Sequence, residues 1–395
     1  MKTTIEFFTE IAKERPVGSE ANQNVLNIIQ AEASQRGCDI TLLPFECKSW
    51  RRGRSFIEAG SISYEIYPSP FSKSYNGSGD IAVVHTLEEL MAANINEKVL
   101  FLQGEIAKNQ LMPKDFPFYY PDEHKQIIDL LEEKKPKVII AVTGKNPACG
   151  LDPFPMFEDG NFSIPSAYIN ESTAIEILKN NGIVKLCISS EFTNVNSSQI
   201  IAVKKSKEKS NAKIVVCAHM DTKYDTPGAI DNAAGVAVLL DTMGNLKDYD
   251  VPYDIEFVPF NSEEYYEVKG ELEYLNYMES SADSVKFMIN IDGPCHKESQ
   301  IAVSSYNFDE ELSDKLITEI KRNENVIIGA EWYSGDHSMF AYRGIPCISV
   351  TSSNLYGSDL ELTHTGKDTI DQISYSLISE TAAFLAGFIR SVAAD

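Results

Sequence analysis

The residues in this chain best equipped for chemistry are a few histidines and carboxylates at the ends of apolar runs. Only six histidines occur in 395 residues. One of them, His219, follows the apolar run Ile214, Val215, Val216, Cys217, Ala218 and is followed in turn by Asp221 and Asp225. Asp231 stands just ahead of a helical pattern, Glu263 and Glu264 follow YDIEFVPF, Asp292 follows SVKFMINI, and His364 lies in LTHT before the last helix. Imidazole nitrogen with carboxylate oxygen is a donor set that suits zinc. Two histidines, two single carboxylates and one member of the Glu pair exceed what one tetrahedral zinc with an open position takes. They fit two ions about 3.5–4 Å apart that share a bridging carboxylate and a bridging water. Adjacent Glu263 and Glu264 cannot easily both bind one ion, so one is better used as ligand and the other as the general base that takes the water's proton. Asp221, two residues after His219, is placed to orient that imidazole. Asp225 reads as loop polarity and His337 as structural.

Taken singly, each residue has an ordinary structural reading. A strand-ending Asp is often the N-cap of the next helix, and a Glu pair is often a solvated turn. Their joint placement is what argues for a site, and it depends on the elements that carry them. After Asn194 the pattern becomes regular. Strands are expected at about 198–204, 213–219, 253–260, 284–291, 299–304 and 346–351, alternating with helices at about 232–247, 267–279, 309–322, 336–343 and 369–391. That alternation predicts an α/β fold: a mixed, mainly parallel sheet flanked by helices on both faces. In such sheets ligands bind at the carboxyl ends of the strands, where the candidate residues fall.

The chain before this region divides in two. Helical spacing covers residues 3–13 and Ser19 to Gln35, with a strand-like run over 38–47. From about Trp50 the style changes to short strands (Ile81 to Val84, 98–103, 137–142), one helix over 123–134, and Ser/Gly/Pro-rich connections. A smaller β-rich domain is therefore expected at 51–189, inserted into a discontinuous catalytic domain of 1–50 and 190–395.

A net charge of −23 argues against nucleic acid or an anionic membrane surface as partner, because neutralising phosphates takes clustered Lys and Arg. The seven cysteines are scattered without a CxxC pair, which fits reduced, mostly buried thiols. Glu6 and Glu10 interrupt the apolar N-terminal stretch, so no signal peptide is expected, and no later run reads as long enough to span a bilayer. A cytoplasmic location is the expectation, and the oligomeric state is not legible.

In order, AHMD, PGAIDNAAG, NSEE, NIDG, SGDHSMF, RGIP and THTGKDT resemble the co-catalytic dizinc aminopeptidase family of aminopeptidase S, aminopeptidase Y and glutamate carboxypeptidase type. RPVGSEAN is similar to the start of that family's N-terminal helix, while KVLFLQGEI and IPSAYINES resemble a protease-associated domain more loosely. The resemblance implies a fold of zinc exopeptidase type, a peptide substrate and two zinc ions. His219, Asp231 and Asp292 would hold one ion; Asp231, Glu264 and His364 would hold the other, with Asp231 bridging. Glu263 would be the base, deprotonating the metal-bridged water and returning the proton to the leaving amine. A tyrosine hydroxyl supporting the oxyanion is implied too, with Tyr333 and Tyr356 as candidates. Two departures stand out: Gly335 where relatives often have Ser, and the bulky run YYEV at 265–268, which is expected to shape the substrate pocket. Three other functions compete with the aminopeptidase: a glutamate-type carboxypeptidase, a single-zinc glutaminyl cyclase, and a non-catalytic scaffold, which would be expected to have lost ligands.

Overall fold

The computed structural model describes residues 2–143, 155–180, 182–208, 212–355 and 362–393. They form two compact units, one of residues 1–47 with 195–395 and one of residues 48–194. The units divide inside two long strands, β1 (Asp39–Arg52) and β2 (Ser190–Lys204), each of which continues through a boundary.

The larger unit is built on an eight-stranded sheet completed by β3 (Lys213–His219), β4 (Asp254–Phe260), β5 (Val285–Ile291), β6 (Ile301–Tyr306), β7 (Val326–Ile328) and β8 (Cys347–Ser352). The strand order is β1-β2-β4-β3-β5-β8-β6-β7. Neighbours are parallel through the central four strands β4-β3-β5-β8, whereas β2 on β4 and β6 on β8 are antiparallel. Parallel strands covered on both faces read as continuous apolar runs, and every residue of β3 is buried. The short β7 is not foreseen from sequence, because VII has neither the length nor the alternation that marks a strand.

The helices of this unit are α1 (Thr4–Ile11), α2 (Glu20–Gln35), α3 (Ala234–Leu246), α4 (Lys269–Met278), α5 (Glu310–Lys321), α6 (Ser338–Ala341) and α7 (Tyr375–Ala393). Their starts are chemically marked. Thr3 and Glu6 form a reciprocal capping box on α1, Ser19 caps α2, and Asp309 caps α5. One continuous core joins α1, α2, α3, α5 and α7 to the sheet. With its 19 residues, α7 is long and apolar enough to cross a bilayer by length and composition, which corrects the expectation that no run is. Its apolarity serves the core: Leu377, Ile378, Phe384, Leu385, Phe388 and Ile389 are buried. Each such side chain contributes about 1.5–3 kcal/mol.

The smaller unit holds a four-stranded antiparallel sheet and a five-stranded sheet in which strands 81–84, 99–102, 138–143 and 166–170 run parallel. Alternation divides two cores along these strands. Leu100, Leu102, Ile139 and Ala141 pack with the helix Asp122–Lys134, and Val99, Phe101, Val138 and Ile140 pack with Ile57 and Leu186 of the other sheet. Among the described residues six cysteines are free thiols, and Cys149 lies outside them.

Candidate metal centre

Parallel register sets the candidate residues at one level. His219 ends β3 opposite Phe260, the last residue of β4, and Cys217 pairs with Asn290 near the end of β5. The chain therefore leaves β4 into Asn261-Ser262-Glu263-Glu264 and β5 into Asp292 at the same edge from which His219 projects.

Three overlapping groups result, the donor atoms within each lying within 4.8 Å of one another: His219 with Asp231 and Asp292; Asp231 with Glu264 and His364; and His219 with Glu263 and Glu264. Asp231 faces both imidazoles. Its Oδ1 is 2.8 Å from His219 Nε2, and its Oδ2 is 3.0 Å from His364 Nε2. His219 Nε2 is also 3.6 Å from Asp292 Oδ1, and His364 Nε2 is 2.9 Å from Glu264 Oε1. One imidazole N–H cannot point at two carboxylates, and Glu264 Oε1, although close, has no aligned donor among the described residues. A metal ion can be bound by both carboxylates and the nitrogen at once, so the donor set fits zinc better than it fits a proton.

The charges in this cluster face one another at close range. Burial alone would lower both histidines, but facing carboxylates outweigh it and hold His219 and His364 well above the ordinary imidazole value. Asp231 is held far below the carboxylate range because its two histidine partners outweigh burial. Glu263 is raised by burial and then by Glu264, Asp336 and Asp292, despite the opposing pull of His219. Glu264 is lowered, as His364 and Lys223 overcome its burial.

Supporting contacts fix these groups. Asp221 Oδ1 is 3.7 Å from His219 Nδ1, longer than a hydrogen bond, while its Oδ2 accepts the Glu264 N–H at 3.1 Å. Asp368 accepts the N–H groups of Ile230 and Asp231 at 2.6 and 3.1 Å, anchoring the backbone of the residue between the histidines. Lys223 Nζ lies 3.2 Å from Glu264 Oε2 and donates to the same residue's carbonyl at 3.0 Å. Arg15, fully buried, donates to the carbonyls of Met220, Pro227 and Gly228 and so braces the loop between His219 and Asp231. Sequence reading passes over Asp368, Lys223 and Arg15. Asp368 and Arg15 lie inside motifs quoted above, but no spacing says which backbone they hold.

Among the described residues, the other sequence candidates belong to none of the three groups. Tyr333 is 47 % exposed and its hydroxyl donates to Glu331 at 3.2 Å, beside Tyr306 and Tyr342. Tyr356 lies outside the described residues. In the YYEV run, Tyr265, Tyr266 and Val268 are buried. Asp225 accompanies none of the three groups, and its N–H donates to Glu14. His337 is buried and neutral, since burial brings its pKa down to about 4. Its Nε2–H donates to the Trp332 carbonyl at 2.7 Å and its Nδ1 lies 3.3 Å from Asn290 Nδ2. Gly335 has a steric reason: a Cβ there would sit 2.8 Å from the Trp332 ring and 3.0 Å from Asn290 Nδ2.

Comparison with known proteins bears on the same region. A model of peptidase family M28 matches residues 199–389. Aminopeptidase YwaD of Bacillus subtilis (strain 168) is 30% identical over 200 residues, 46% of this chain and 42% of that protein, so the match spans less than half of its length. The aminopeptidase from Aneurinibacillus sp. strain AM-1 superposes with a TM-score of 0.76 at 18% identity, over 99% of this chain and 92% of the other. The zinc aminopeptidase BSAP from Bacillus subtilis gives 0.74 at 17% identity, over 98% and 94%. At these identities the structural likeness shows the fold. The family match falls on the strands and loops that carry His219, Asp231, Glu264, Asp292 and His364, so residues 199–389 of this chain are similar to peptidase family M28 over the whole candidate site.

Proposed function

We propose that this protein is a zinc-dependent aminopeptidase that binds two ions and hydrolyses N-terminal peptide bonds. The observation that carries the reading is Asp231, with one oxygen toward each of two imidazoles and a further carboxylate beside each imidazole. His219, Asp231 and Asp292 would hold one ion, and Asp231, Glu264 and His364 the other. Zinc at such a site supplies Lewis acidity and makes a water molecule acidic enough to react near neutral pH.

The chain's own part is proton handling and orientation. Glu263 is the one acid of the donor groups not needed as a ligand, and its surroundings raise its proton affinity. Its carboxylate takes a proton from the attacking water and delivers it to the nitrogen of the departing amine, so one group serves as base and then as acid. Asp221 steers His219 from behind and holds the Glu264 N–H. Peptide substrates follow from the peptidase family, and the choice of aminopeptidase is supported by the names of the relatives. We read residues 51–189 as an inserted protease-associated-like domain, supported by the motif likeness and by the compactness of residues 48–194.

Metal counting combined with a substrate panel tests this reading. Two ions per chain, cleavage of aminoacyl substrates, loss of activity on chelation and recovery with zinc are expected. Selective release of C-terminal glutamate would favour a carboxypeptidase. One ion with cyclisation of N-terminal glutamine would favour the cyclase. Hydrolysis that survives exhaustive chelation would reject the metal mechanism.

A further inference from the structure

One buried acid in the larger unit has no part in the chemistry above. Glu271 lies in the first turn of α4, with its Oε2 accepting a 2.6 Å hydrogen bond from Ser262 Oγ. Its Oε1 is buried without a hydrogen-bond partner among the described residues. Burial, reinforced by the charge of Asp221, pushes the Glu271 carboxyl up to about 8, so it carries its proton at neutral pH. Half-satisfied buried polar groups cost stability. An acid kept in such a place calls for a reason other than stability.

Ser262 supplies one. It immediately precedes Glu263 and Glu264, and its φ of 154° is one that L side chains rarely adopt. Such a conformation persists only where the surroundings over-determine it. Here the Ser262 hydroxyl accepts the Gly270 N–H at 2.6 Å while donating to Glu271. Only a residue without a side chain lets α4 approach this closely: a Cβ on Gly270 would lie 2.7 Å from both Asn261 O and Gln199 Oε1. At its other end the turn is held by Asp221, through the Glu264 N–H. The segment 262–264 is thus gripped by one carboxyl group at each end.

We propose that Glu271 is a positioning residue for Glu263, acting through Ser262 Oγ to fix the turn that aims the base. The inference rests on the reading of Glu263 as the base of a zinc aminopeptidase. Glu271 touches no reacting atom, so its loss misplaces the proton acceptor without removing substrate contacts. The effect falls on kcat more than on KM.

The test compares full-length, zinc-loaded wild type with E271Q, E271L, S262A and the S262A/E271L double variant. The readouts are kcat and KM on one aminoacyl substrate, metal content and Tm. E271Q keeps an oxygen that accepts the Ser262 hydroxyl and is expected to retain kcat within about threefold, since the bond survives. E271L and S262A are each expected to lose about tenfold or more in kcat at little-changed KM and unchanged metal content. The double variant is expected to be no worse than the worse single one, as for residues acting along one route. If E271L does not fold, S262A and E271Q carry the comparison. Wild-type kcat in S262A, an E271Q as impaired as E271L, or losses that multiply in the double variant would overturn the proposal while leaving the aminopeptidase reading in place. A wild type inactive on every aminoacyl substrate would overturn both.

Discussion

Asp231 is the residue on which the two halves of the site meet. Each carboxylate oxygen is committed to a different imidazole, and its backbone is tethered to Asp368. Removing it takes a donor from both positions, whereas removing Asp292 takes one from a single position. Asp231→Ala is therefore expected to bind fewer ions per chain than Asp292→Ala, measured by elemental analysis after dialysis; equal stoichiometry would contradict the shared role. Glu263 makes the opposite prediction. Glu263→Gln is expected to keep its metal yet lose about 10²–10⁴ in kcat, the usual contribution of a general base. An active Glu263→Gln enzyme would sink the assignment.

At the scale of elements, the site is a product of strand ends and of what is packed beneath them. Below the carboxyl edge a chain of polar groups runs from the Cys217 thiol to Asn290, His337 and the Trp332 carbonyl, all buried. His337 has a folded pKa of about 4, against about 6.5 for a free imidazole. Its contribution to stability is present above pH 6.5 and is lost as pH falls toward 4, because the unfolded chain takes up the proton first. The full contribution is about 3 kcal/mol. Urea unfolding from pH 7 to pH 4.5 is expected to show a shallower acid-side loss for His337→Gln than for wild type. Parallel curves would show that His337 does not enter as a buried neutral group.

At the scale of the molecule, an excess of carboxylates converges on one edge of the larger unit. Coulombic repulsion among Asp231, Asp292, Glu263 and Glu264 opposes folding, offset in part by His219, His364, Arg15 and Lys223. A bound divalent cation relieves that repulsion, and any ligand of the folded state stabilises it by mass action, about 4 kcal/mol at a thousandfold excess over Kd. Chelation is therefore expected to lower Tm and zinc to restore it. Glu263→Gln should keep that shift and Asp231→Ala should lose most of it. An unchanged melting curve on chelation would argue that the cluster holds no metal.

Much of this was legible in the chain itself. Residue types supplied the donor set, since few side chains other than imidazole and carboxylate could serve a hard or borderline ion. The alternation of apolar runs placed His219, the Glu pair and Asp292 at strand ends, because buried parallel strands must be continuously apolar and must stop where polar loops begin. What decided the rest acts between residues far apart in sequence. The pairing of Asp231 oxygens with His219 and His364, the carbonyls gathered by Arg15, and the hold of Asp368 on Ile230 and Asp231 have no local period or motif spacing. The strained turn at Ser262 belongs with them, for it exists only because α4 packs back on it through Gly270 and Glu271. Local pattern follows from the periods of strand and helix, whereas the aim of a side chain follows from contacts that only the folded chain brings together.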